Sequence, residues 1–160
     1  MFGTLFPGVQ HLQNIHPLIV HFPIAFLVGA ALFYWLAWVL RKDSLATTAF
    51  SVLILGAISA AAAVGTGLYA EGGVMIARSV QAHLLAPHEE LMITTFLLSL
   101  GLTVWAVLAR PFPKRGRLIF MLALLGMLVV MSFGADYGAR MVYDYNAGGN
   151  ACSQPIEFTK

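Results

Sequence analysis

One cysteine, Cys152, stands in 160 residues. That excludes an internal disulfide framework and any thiolate-based metal cluster. Charge is also scarce: 10% of the residues are Asp, Glu, Lys or Arg, and the formal net charge is +2. A soluble domain of this length carries far more charge on its surface. No long basic tract is present, so nucleic acid is not an expected partner. Several motifs are missing as well. No C-x-x-C-H provides a covalent c-type haem attachment. No G-x-S-x-G presents a serine nucleophile, and no glycine-rich loop cradles a phosphate. The sequence nominates no catalytic residue.

What is present is apolar. Hydrophobic residues make up 59% of the chain, and the mean hydropathy is +0.82. These values predict an integral membrane protein with a single domain.

Four apolar stretches are long enough to cross a hydrocarbon core, which takes roughly 20 helical residues. They run from about Pro17 to Leu40, Ala46 to Tyr69, Pro87 to Ala109, and Leu118 to Ala135. The first begins too late and runs too long for a cleaved signal peptide, so it is expected to be retained. The predicted fold is all-α, a four-helix membrane bundle, with residues 136–160 as an outer tail. Arg41 and Lys42 lie in the first connection, and Arg110, Lys114, Arg115 and Arg117 in the third. By the positive-inside rule these connections face the cytoplasm. Both termini and the second connection then face the periplasm of a bacterial inner membrane. Trp35, Trp38 and Trp105 fall toward the cytoplasmic ends, as interfacial anchors do.

The second span carries small residues four apart: Gly56 and Ala60, and Ala57, Ala61 and Gly65. Such spacing lets helix backbones approach closely. A second reading is that Gly65 and Gly67 make room for a flat macrocycle, and glycine alone does not separate the two.

All five histidines fall on the predicted outer side: His11, His16, His21, His83 and His88. Pro17 and Pro87 suit helix starts, where the missing N–H would be unpaired anyway. Glu89 and Glu90 suit the positive end of the third helix. Pro23 falls where the first helix is already under way and removes a backbone hydrogen bond.

Steps of five residues separate His16 from His21 and His83 from His88, a rotation of about 140° on a regular helix. One helix face therefore cannot present both members of either pair to one metal. If a ligand is shared between helices, each helix gives one histidine. His21 and His88 are the expected pair, because both lie within spans near the same membrane face. A titratable ring inside a membrane helix is costly without a partner. The plain alternative is that each ring only hydrogen-bonds a neighbouring helix or interfacial water.

Two facing histidines in a helical bundle suit haem b, whose iron takes two axial imidazoles. His16 or His83 would assist or hold a second site, with Arg78 or Arg140 available to the propionates. A competing metal site would use His16, His21, His88, Glu89 and Glu90 for copper, zinc or non-haem iron. The Glu-x-x-His pattern of diiron bundles is missing. In the tail, Asp136, Arg140 and Asp144 are spaced for an i, i+4 ladder if helical.

"HPLIVHFPIAF" in the first span, Thr66-Gly67 ending the second and a histidine opening the third resemble a bacterial membrane family, domain of unknown function 2231. "GARMVYDYNAGG" is similar to that family's closing glycine-rich segment, although Asp144-Tyr145 stand where the family often has histidine. The resemblance spans about residues 15 to 149. It implies the four-span architecture and the importance of His16, His21 and His88, but no reaction.

The function expected from these observations is that of a b-type cytochrome-like electron-transfer protein. Its partners beyond the lipid bilayer would be quinol or a periplasmic electron carrier. The competing class is a non-catalytic subunit of a larger respiratory complex or homo-oligomer, with the histidines fixing interfaces.

Overall fold

The computed structural model describes residues 14–73 and 76–147. His11 and Cys152 lie outside the described residues. All regular structure among the described residues is helical, and four helical stretches are long and apolar enough to cross a membrane: His16–Leu40, Asp43–Glu71, Arg78–Ala109 and Arg117–Tyr145. The expected all-α fold is the one observed.

The first stretch is broken near its start, and the cause is local. Pro23 offers no N–H to the carbonyl of Ile19, and its ring crowds that carbonyl. The chain divides at Val20 into α1 (His16–Ile19) and α2 (His21–Leu40). Ile24 still reaches Val20 O, at a long 3.4 Å. The second stretch, α3 (Asp43–Glu71), follows after a two-residue connection in which Arg41 takes a left-handed conformation at φ 53°.

Pro87 acts similarly on the third stretch. It has no N–H for the carbonyl of His83, one turn back. The short α4 (Arg78–Val80) runs into a π-helical turn over Gln81–Leu85, and the Ala86 N–H reaches back five residues to Gln81 O. Such turns accommodate a register shift within a helix. α5 (Ala86–Ala109) then continues regularly. The last helix, α6 (Arg117–Tyr145), starts after Gly116, whose φ of 74° favours glycine. It continues past Ala135 through the segment read from the sequence as tail. Met141 on that extension is buried against Val80 and Leu84, which gives the extra turns an apolar surface to pack on.

Each spanning helix packs on the next along the chain, α2 on α3, α3 on α5 and α5 on α6, and α6 returns against α2. The core runs along the axis through Leu27, Tyr34, Leu53, Phe120, Leu124 and Met127, all fully buried. Gly56, Ala57 and Ala60 are buried on α3, while Ala61 and Gly65 are exposed. A Cβ at Gly56 would lie 2.6 Å from Leu27 Cδ2, so this glycine lets α2 and α3 approach. Outside the core, Ile58 is 63% and Phe133 62% exposed. A surface of that kind is stable against lipid rather than water.

At the basic end, Tyr34 donates its hydroxyl to Pro111 O at 2.9 Å and packs on Phe112 and Phe120. Trp105 meets Phe120 edge-on. These rings tie the α5–α6 connection to α2 and close that end of the bundle.

Candidate functional site

The opposite end brings the two starts, α1 and α5, against the two ends, α3 and α6. Here the rings of His16 and His88 lie with centroids 6.5 Å apart and planes at 83°. All four spanning stretches contribute to their setting.

His16 begins α1. Its backbone N–H bonds Asn14 Oδ1 at 3.0 Å, and its Nδ1 lies 3.1 Å from Thr66 Oγ1 on α3. The Thr66 hydroxyl has a single proton, which goes to the carbonyls of Ala62 (2.9 Å) and Ala63 (3.0 Å). With that proton on either carbonyl, the Thr66 oxygen accepts from His16 Nδ1–H. One residue on, a Cβ at Gly67 would sit 3.0 Å from His16 Cε1. The ring thus rests on a helix surface that lacks a side chain.

His88 is held in a parallel way by α6. Its Nδ1 is 2.7 Å from Gly134 O. A carbonyl only accepts, so His88 also carries its proton on Nδ1. Gly138, one turn along, would place a Cβ 2.9 Å from His88 Cε1. Gly134 additionally admits Leu91 and Met92 of α5, which would collide with a Cβ there. The glycines four apart on α6 therefore do two things: they seat the ring and bring the helices close.

His88 is thus the Nδ1–H tautomer, with an unprotonated Nε2, and His16 is anchored through the same ring nitrogen. Anchoring Nδ1 on a neighbouring group while Nε2 is left over is a habit of metal-bound histidines.

The structure distributes the other expected site residues differently. His21 is exposed on α2, and the ring facing His88 is His16 in its place. The break at Val20 and the five-residue step put the two histidines of the first stretch on different sides. His83 is exposed on the π-helical turn, and Arg78 is exposed on α4. Gly65 has nothing within 4 Å of a Cβ, whereas Gly67 meets His16. Arg140 pairs with Asp144 at 3.8 Å on the exposed side of α6, so part of the expected ladder forms. Glu90 is exposed. Glu89 is half-buried with its Oε1 shielded and unpartnered among the described residues. Glu71 at the end of α3 lies within electrostatic reach of it.

Among the described residues no group of three or more His, Cys, Asp and Glu side chains gathers around a point as a metal ion would require. The residues that sequence reasoning left out are Thr66 as a hydrogen-bond partner, together with Gly134 and Gly138. Their signal was present as glycines four apart in the final helix and a Thr-Gly step in the second.

Residues 12–151 match a family model described as "Predicted membrane protein (DUF2231)". That covers most of the chain, and the protein belongs to this family. No curated protein and no solved structure gives a significant match.

Proposed function

We propose that this DUF2231 member is a b-type cytochrome-like electron-transfer protein of the bacterial inner membrane. Its haem site lies between His16 and His88, near a periplasmic face where both termini emerge. The observation that carries the reading is the pair of imidazoles at 6.5 Å, each anchored through Nδ1 on a different helix.

The donor count favours haem over a bare ion. Zinc, copper or non-haem iron needs three or more protein ligands in most sites. A porphyrin brings four nitrogens of its own and would need only two more from the protein, which His16 and His88 would supply. When bound, the group supplies one-electron chemistry without further catalytic residues. The protein's part is to fix the ligands. Thr66 and Gly134 hold each ring's tautomer and orientation, and their hydrogen bonds make the imidazoles more basic donors. Gly67 and Gly138 give each ring its seat. The apolar bundle keeps water from the ligand nitrogens on the membrane side. The exposed Arg78 lies at the same end, available to a carboxylate of the cofactor. At the outer face the site is open to quinol from the bilayer or to a periplasmic carrier.

The test is a reduced-minus-oxidised spectrum of detergent-purified protein made with ample haem supply. The expected result is a Soret and α band of bis-histidine haem b, lost in both His16→Ala and His88→Ala and kept in His21→Ala. A colourless wild-type protein would overturn the proposal, as would bands that survive His16→Ala.

A further inference from the structure

The basic end of the bundle holds a second feature, independent of the histidines. A cavity of about 580 Å³ opens where α2 ends and α3 and α6 begin. Arg41, Lys42 and Arg117 line it, with Asp43 as the single acid, and Trp38 and Phe112 supply apolar wall. The lining thus carries two positive charges in excess.

These charges are not spent inside the protein. Among the described residues Arg41, Lys42 and Asp43 take part in no ion pair. Arg117 is fixed from one side only. Its guanidinium sits 4.6 Å from the centre of the Phe112 ring, and its Nε donates to Pro113 O at 3.3 Å. The two terminal nitrogens of the fork remain for an acceptor, and a planar fork suits phosphate oxygens. The connection bearing Phe112 is itself tied down by the Tyr34–Pro111 bond, so the wall is rigid. Clustered like charges left unpaired repel one another, and an anion in the cavity relieves that.

The depth of the cavity in the membrane selects the kind of anion. It lies at the ends of spanning helices, and Val39 on its rim is 69% exposed with Leu40 beside it at 52%. A lipid there would set its charged part against the cations and its hydrocarbon part along α2. Basic pockets between spanning helices hold lipid headgroups in this way.

We propose that this cavity binds the headgroup of an anionic phospholipid of the phosphatidylglycerol class. The phosphate diester lies against Arg41, Lys42 and Arg117, and the glycerol hydroxyls donate to Asp43. A zwitterionic choline headgroup brings a cation into an already cationic cavity and has no hydroxyl for Asp43.

Native mass spectrometry of delipidated full-length protein tests this, titrating phosphatidylglycerol, phosphatidylcholine, phosphatidylethanolamine and inorganic phosphate separately. The expected result is retention of phosphatidylglycerol about tenfold tighter than either zwitterionic lipid, with inorganic phosphate far weaker. In the double variant Arg41→Ala with Lys42→Ala the preference falls to near parity at unchanged helicity. Should the double variant fail to fold, Lys42→Gln alone is expected to narrow the preference. Equal retention of phosphatidylglycerol and phosphatidylcholine by the wild type overturns the proposal. So does a preference for phosphatidylethanolamine, which would assign Asp43 to an ammonium. Inorganic phosphate bound as tightly as the lipid overturns it too, because the site would then be one for the free anion. A preference untouched in the folded variants places the lipid elsewhere.

Discussion

The rings of His16 and His88 stand nearly perpendicular, at 83°, with their centroids 6.5 Å apart. Each is anchored through Nδ1 on a different helix, His16 on Thr66 of α3 and His88 on Gly134 of α6. The angle is set by where those two anchors lie, and both anchors act on the nitrogen remote from the one that would bind iron.

The crossed planes have a spectroscopic consequence for a bound haem. Parallel axial imidazoles lift the degeneracy of the iron d-orbitals and give an ordinary rhombic low-spin ferric signal. Perpendicular planes leave those orbitals nearly degenerate and give a strongly anisotropic one. The oxidised protein is expected to show the strongly anisotropic signal in frozen-solution electron paramagnetic resonance. A rhombic spectrum would mean that the rings rotate on binding or that another pair serves.

With a haem held by His16, Thr66 would act through that ring. Thr66→Val removes the hydroxyl partner of His16 Nδ1 while keeping the branched shape. Loss of such an anchoring partner costs roughly 10- to 100-fold in affinity at other metal sites, and haem retention is expected to fall within that range. A less basic imidazole also stabilises ferric iron less, so the reduction potential rises. Thr66→Ser, which restores the hydroxyl, is expected to return both quantities toward wild type. A purely structural Thr66 would move the unfolding midpoint and leave the potential of the remaining haem unchanged.

Three glycines offer a graded comparison. Ala at Gly138 would meet His88 at 2.9 Å, and Ala at Gly67 would meet His16 at 3.0 Å. At Gly65 there is open space. Gly138→Ala and Gly67→Ala are expected to shift or abolish the α band, because each ring must leave its seat. Gly65→Ala is expected to leave the spectrum alone, with helix propensity favouring the alanine by up to about 1 kcal/mol. Absorbance and thermal unfolding of the three proteins side by side check this. Three identical spectra would separate the glycines from the site.

The candidate site was half legible in the residues. Histidines confined to the predicted outer side of four spans are a pattern that composition and spacing expose. The 140° step implied that the first and third stretches would each contribute one ring, and the structure pairs one from each. Which ring the first stretch contributes was not legible. His21 sits deeper in the apolar run and was the natural expectation. Pro23 disrupts the helix at Val20, however, and the turn ahead of the break carries His16 onto α3. The rotation of a spanning helix is fixed by packing against its neighbours and not by its own hydrophobicity, because an apolar helix in lipid has no polar side to orient it. The continuation of α6 to Tyr145 was hidden for a related reason. Its outer turns are mixed in polarity, and only Val80 and Leu84 of a distant segment give Met141 somewhere to be buried.

By itself the sequence determined the solvent, the number of spans, the separation of basic connections from histidines, and the interruption at Pro23; Pro87, read as a helix start, instead lies just past a π-helical turn in a stretch that begins at Arg78. Each follows from properties a residue carries wherever it stands: transfer cost, charge, or a missing N–H. The tertiary structure alone decided that His16 faces His88, that both rings are anchored through Nδ1, and that Gly67 and Gly138 face the rings while Gly65 faces open space. Those outcomes depend on distances between helices that are far apart in the chain. They are settled only when close packing fixes each helix's rotation and depth.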